Sequence, residues 1–300
     1  MSLAGHRGAR VVPAAAERPV HRVWRRVRRD PAGLGGLVLL AIIALGAAMG
    51  PMLLSGDPSA PHLDRTFLPP GPQHPLGTDH LGRDLLVRIV HGARVSLLSA
   101  AGALGLGLLA GVPVGLVAGT TRGMVDEVLM GATEVLMSFP GALLAILAVA
   151  VLGPGPRNVV LAVGIASAPV FARLVRGVAL GLREREFVEA ARALGASGAR
   201  ILARHILPGC LAPIVVAAML RLGVTIVTVA GLGFLGLGGD PAAPEWGAML
   251  SQGQEYLRRA PHIVLAPGLA ILLVVLSVNL AGDALADALD PRVRSRRGAG

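Results

Sequence analysis

The side chains able to do chemistry in this sequence are few and scattered. Four of its eight histidines, His62, His74, His80 and His91, share one segment, yet they form no zinc-binding set and read as surface or packing histidines. There is no Gly-x-Ser-x-Gly elbow and no His-Glu-x-x-His helix. The one cysteine, Cys210, has no partner for a disulfide. All 28 cationic residues other than histidine are arginine. A Walker A loop needs a lysine on the phosphates, so a chain without lysine carries no such loop. The sequence therefore predicts no catalytic residue, no metal site and no nucleotide site of its own. Two charges, Glu134 and Arg221, interrupt long apolar runs, where ionisable residues are functional candidates by default. Both are expected within about two turns of one membrane face, where snorkelling or local pairing would also satisfy them.

The elements that must position these residues follow from composition. About two-thirds of the 300 residues are apolar or glycine, charged residues are only 15%, and mean hydropathy is +0.67. A soluble domain could not hide so much apolar surface, and a disordered chain would not contain it. The chain is expected to be an all-α integral membrane protein. Asp30-Pro31 reads as an N-cap followed by proline at the first helical position. Six spans follow, at about 33–54, 95–121, 128–152 with Glu134 near its start, 158 to the Arg173/Arg176 region, 211–237 and 263–280. The first span is longer than the roughly 7–15 apolar residues of a secretory signal and reads as an uncleaved anchor.

Six spans put both termini on one side. With the N-terminus inside, eight arginines lie in the first tail, one at Arg122, seven from Arg173 to Arg204 and four in the last tail. Twenty inside against seven outside gives cytosolic termini by the positive-inside rule. The net charge of +10 is thus spent beside a lipid bilayer, and no nucleic-acid partner is expected. Small residues recur in the spans, and Gly107 with Gly111 has a close-packing spacing common in any apolar run.

The most informative segment is REREFVEAARALGASGARILARHILP, residues 183–208. Phe187, Ala190, Ala191 and Leu194 recur at helical spacing and form one apolar face. Gly195 stands where a helix C′ glycine would, and Ser197 caps a second short helix expected to end before Pro208. A DNA-binding helix-turn-helix has a similar rhythm. A 26-residue loop tied to membrane at both ends has no third helix and no room for such a core. A docking element for a cytosolic partner fits better, with a solvated amphipathic loop as the plainer alternative.

The run Glu189-Ala190-Ala191, then Gly195 and Leu207-Pro208, resembles the EAA loop of ABC importer permeases. The general pattern has Ile three residues before the proline. Here His205 stands there, a variant similar to the peptide and nickel permease subgroup. Residues 74–97 (HPLGTDHLGRDLLVRIVHGARVSL), FLGLG at 234–238 and SVNLAGDALADALDPRVR at 277–294 also resemble that subgroup, and its C-type permeases in particular.

The resemblance implies a type I ABC importer transmembrane domain. It divides the chain into a cytosolic tail (1–30), a first span with an extracytoplasmic segment (31–93), a transmembrane core (94–284) and a C-terminal tail (285–300). Glu189, Ala190, Ala191, Leu194, Gly195, His205, Leu207 and Pro208 would then belong to the loop that couples to an ATPase subunit. The implied partners are a B-type permease in a heterodimer, two ATPase subunits that bind ATP and Mg, and an extracytoplasmic substrate-binding protein. The implied activity is ATP-driven import of dipeptides or oligopeptides across the inner membrane of a prokaryote, with nickel as the alternative cargo. An ion-coupled secondary transporter is the rival from another class, and it would call for internal repeats and more intramembrane carboxylates.

Overall fold

The structure is a computed structural model, and it describes residues 25–289 except 26, 29, 55 and 122. Most of the two expected basic tails lies outside those residues. Among the described residues the regular elements are helices, joined by one isolated bridge between Thr78 and Asp84.

Helix α1 (Pro31–Leu53) opens as the sequence predicts, with the Asp30 carboxylate accepting from the Ala32 and Gly33 amides at 3.2 and 3.1 Å. Helix α2 (Leu85–Thr120) begins ten residues before the expected Val95. The charge-free criterion cut it short at Arg94 and left Arg88 in the loop before it. Instead, Arg88 is buried, and its Nη1 donates to the carbonyls of Pro58 (2.7 Å) and Ala242 (3.3 Å). The Asp84 carboxylate caps this helix by accepting from the Val87 amide at 3.1 Å.

The expected third span is two helices, α3 (Met124–Met137) and α4 (Gly141–Leu152), bent by 90°. Pro140 causes the break, since it has no amide to donate and biases Phe139 away from helix. Neither piece alone crosses about 30 Å of hydrocarbon at 1.5 Å per residue. Helix α5 (Pro156–Arg183) runs past Arg173 and Arg176. The short α6 (Glu186–Ala193) follows, then α7 (Gly198–Phe234). The loop expected at 238–262 contains α8 (Trp246–Gly253), with Trp246 and Met249 buried. Helix α9 (His262–Leu289) closes the described chain.

Contacts assign the elements to two ends of the bundle. At one end the Gly155 amide donates to the Leu237 carbonyl at 3.0 Å, and His262 lies 3.2 Å from the Thr78 carbonyl. At the other end, Asp126 on α3 pairs with Arg176 near the close of α5, and Gly33 on α1 abuts Ala284 on α9. The bent α3–α4 pair therefore starts at one end and finishes at the other. It is a broken span and not a re-entrant loop, so the described residues make six crossings, and α1 begins at the end where α9 finishes.

The bundle's main seam runs between α2 and α5, which lie parallel. Gly107, Gly111, Gly115 and Gly119 on α2 face Ser167, Phe171, Val175 and Ala179 on α5. A Cβ on these glycines would lie 3.0 Å from Ser167 Cβ, 2.9 Å from Phe171 Cβ, 2.8 Å from Val175 Cβ and 2.7 Å from Ala179 Cβ. The first pair was visible in the sequence as a weak signal. Four in register make a groove that only glycine permits, and they let dispersion act between backbones where lipid supplies no hydrophobic drive.

Candidate docking elbow and the charged clusters

The segment after α5 folds as a tight elbow. Helix α6 ends in a Schellman turn: the Ala196 amide donates to the Ala191 carbonyl at 3.0 Å and the Gly195 amide to the Arg192 carbonyl at 2.9 Å. Gly195 has φ +81°, the left-handed conformation that glycine adopts freely. The Ser197 hydroxyl then accepts from the Arg200 amide at 3.4 Å and opens α7.

One sequence expectation about the elbow needs correction. The second helix does not end before Pro208. A π-helical turn at Leu202–Ile206 carries it straight into the expected fifth span. Pro208 cannot donate to Arg204, and its ring would crowd that carbonyl in a regular α-helix; the widened turn just before it accommodates both problems. Most of the apolar face of α6 is turned outward. Val188 is the buried anchor, with Ala191 partly buried, in a cluster with Val175, Ala179, Ile201, Ile206 and Cys210. Phe187 is 47% exposed, Leu194 is 89% exposed, and Glu189 and Ala190 are exposed beside them. Helical periodicity locates an apolar stripe but does not say whether its partner is in the same chain. His205 and Leu207 are partly buried, His205 with its ring centroid 6.1 Å from that of Phe187, and Pro208 is exposed.

Three residues that the sequence reading missed fix the base of the elbow. Arg176 grips Asp126 through two bonds of 2.6 Å, and Arg183 Nη1 donates to the Thr120 carbonyl at 2.9 Å at the end of α2. Their separations of 50 and 63 residues leave no periodic trace in the sequence.

The opposite end carries a second cluster. Asp79 Oδ2 accepts from Arg83 Nε at 2.7 Å and lies 3.6 Å from Arg88 Nε, while Asp79 Oδ1 takes the Leu81 and Arg83 amides. Arg83 reaches on to Gln252 at 2.9 Å, and Trp246 Nε1 donates to the Ile89 carbonyl at 3.0 Å. This network clips residues 57–88 to the α8 segment. Glu245 caps α8 through the Gly247 and Ala248 amides, and burial pushes its carboxyl above the usual range. His74 pairs with Asp84 at 2.6 Å, and His91 donates to the Val87 carbonyl. His80 stacks on Tyr256 with ring centroids 5.3 Å apart, and burial lowers its pKa. Among the described residues, no three His, Cys, Asp or Glu side chains come together as a metal set.

The two intramembrane charges part company. Glu134 is exposed on α3, just before the bend. Arg221 has its Nε buried without a hydrogen-bond partner, and the adjacent Leu220 packs on Gly282 of α9, two residues from the Ala284 that abuts Gly33 at the end where α1 begins.

This fold matches a known class. Residues 111–295 match the family described as the binding-protein-dependent transport system inner membrane component, and residues 18–70 match the N-terminal transmembrane domain of oligopeptide transport permease C. The chain belongs to this family, as a permease subunit of an ABC importer. Among curated relatives, the glutathione transport system permease protein GsiD of Pectobacterium atrosepticum is 45% identical over 280 residues, covering 92% of each chain. GsiD of Escherichia coli O6:K15:H31 is 44% identical over 286 residues, covering 95% of this chain and 94% of that one. The fold is also that of the inward-facing MetNI methionine ABC transporter. That match has a TM-score of 0.56 at 23% identity and covers 69% of this chain and 96% of that one.

Proposed function

We propose that this permease carries peptides, with glutathione-sized peptides as the first candidates, and that its α6 elbow docks on an ATPase subunit in the cytosol. The substrate class is supported by relatives named for glutathione transport and by the oligopeptide-permease match at residues 18–70. The single observation that carries the docking assignment is the elbow itself. A buried Val188 and a left-handed Gly195 hold out Phe187, Glu189 and Leu194, an exposed apolar pair with a charge between them. A free solvated loop has no reason to hold Leu194 at 89% exposure on a rigid turn.

The elbow and both described ends of the chain share one end of the bundle, and the arginine excess of the sequence assigns that end to the cytosol. The bundle pairs with a B-type permease, and an extracytoplasmic binding protein delivers substrate at the opposite end. ATP and Mg are held by two partner ATPase subunits, so this chain contributes no catalytic residue. Glu189→Arg should leave the bundle intact and reduce ATPase co-purification, more strongly as salt is lowered. Unchanged association would remove the docking assignment. A reporter active only after export, fused after Arg200, would reverse the topology.

A further inference from the structure

Away from the elbow and the Asp79 hub, a dense run of charge stands at the foot of α1. Residues 22–29 hold five arginines, and residues 1–30 hold eight against Glu17 and Asp30. The α9 end of the chain does not cancel them, because residues 281–300 carry four arginines and three aspartates. Helix α1 opens at Pro31, three residues after Arg28 and six after Arg25, and runs for 23 residues without a charge. At 1.5 Å per residue it is long enough to cross the hydrocarbon, which leaves both arginines at headgroup depth.

The two arginines are seated there. Val27, between them, is 4% exposed and packs with Ala284 and Ala288 of α9 and with Leu37 of α1, while Arg25 and Arg28 are exposed. What they face follows from α1 itself. Its small residues turn toward protein: Gly33 lies on Ala284, Gly36 on Leu280 and Gly50 on Val90. Its bulky residues Leu34, Val38, Ile42, Leu45 and Met49 are exposed. Helix interfaces in membranes use small residues for close approach, and bulky apolar side chains suit lipid tails. Lipid headgroups therefore stand at the foot of this face. The first amides of α1 are already taken by the Asp30 carboxylate, so an anion there is left to the arginines. A guanidinium fork matches a phosphate through two parallel bonds, and an arginine cluster beside a span draws anionic headgroups. Trp24, one of only two tryptophans, belongs to the same run of sequence, and tryptophan is enriched at membrane interfaces.

We propose that Arg25 and Arg28, seated by Val27, hold the phosphate of an anionic phospholipid at the foot of α1. The test uses the assembled importer in micelles of a neutral detergent, with labelled phosphatidylglycerol as the probe and phosphatidylcholine as the comparison. The wild type should retain phosphatidylglycerol in preference, and less so as salt rises. Arg25→Gln combined with Arg28→Gln should lower that preference roughly 20- to 30-fold, about fivefold for each arginine beside an anionic surface. Val27→Ser keeps both charges but loses their seat, and should lower it several-fold. Arg258→Gln, which removes an exposed arginine at the opposite end, should leave it nearly unchanged. Inorganic phosphate should compete no better than chloride at equal ionic strength. Equal retention of the two lipids, an unaltered preference in the double variant or in Val27→Ser, or an equal loss in Arg258→Gln overturns the proposal. Displacement of the lipid by inorganic phosphate also overturns it, since the site would then take a free anion. The readout is bound lipid and not uptake, so the outcome does not depend on the cargo.

Discussion

Replacing Gly195 isolates the geometry of the elbow from its packing. A Cβ at this position would meet no atom within 4 Å, so substitution removes no space. The whole effect comes from φ +81°. A non-glycine residue in that left-handed region costs roughly 1–2 kcal/mol, asparagine less than most, and a β-branched residue is a severe outlier. One to two kcal/mol is about a 5- to 30-fold change in the population of the folded turn. The two bonds that close it, Ala196 to Ala191 and Gly195 to Arg192, would open together. Gly195→Asn should therefore keep most of the uptake and transport-linked ATP hydrolysis, Gly195→Ala should lose several-fold, and Gly195→Val should lose most. All three should reach normal membrane levels, because the turn lies outside the spans. Uptake in proteoliposomes and ATP turnover of the assembled complex, each scaled to permease content, measure this. Normal uptake by Gly195→Val would refute the reasoning. So would equal losses in Asn and Val, since the backbone angle would then not be the cause.

Two further outcomes follow from the packing and the charges. Gly111→Ala and Gly105→Ala gain the same helix propensity, but only the first drives a Cβ into α5, at 2.9 Å from Phe171 Cβ; Gly105 meets nothing within 4 Å. The difference should be about the 1–3 kcal/mol of overpacking, read as a lower melting temperature in detergent for Gly111→Ala alone; equal melting points would show that α2 and α5 do not meet at this groove. Burial lowers the pKa of His80 below its ordinary 6.5, so the neutral ring is favoured in the fold and stability should fall as pH drops through 6.5. His80→Phe keeps a ring against Tyr256 and should flatten that fall; an unchanged acid slope would assign it to other groups.

The six crossings were legible because a helix in lipid must satisfy its own backbone, which makes apolar length a strong signal. The ends were not, because charge was used as the boundary. Arg88, Arg173 and Arg176 all lie inside helices, and at Arg88 and Arg176 acceptors come from distant segments: Pro58, Ala242 and Asp126. The 90° break at Pro140 has a local cause, yet the apolar run on either side read as one span. Within the elbow, Gly195 and Ser197 could be read from local chemistry alone. Which apolar residues turn inward could not, because Val188 is distinguished from Phe187 only by the α5 surface beneath it. The Asp79 hub was hidden for a similar reason: its partners Arg83 and Leu81 are close in sequence, but the load it carries through Arg83 passes to Gln252, 169 residues from Arg83.

The parts near the elbow act as one body. The glycine groove runs along α2 to Gly119, where Arg183 ties the end of α5 to Thr120. Val188 and Ile201 anchor both arms of the elbow on Val175, Ala179 and Cys210, and the π turn continues the second arm into α7 without a flexible joint. A push on α6 therefore meets α2, α5 and α7 together, because close-packed groups transmit displacement instead of absorbing it. The bent α3–α4 pair joins this body through the Asp126–Arg176 pair and the packing of Met130 on Ala118 and Ala172 before the bend, and through α4 residues such as Ala145 and Val149 beyond it. Between these attachments, Val135 and Phe139 are exposed, 63% and 49%. The 90° bend at Pro140 therefore lies where the broken span is least covered by its neighbours.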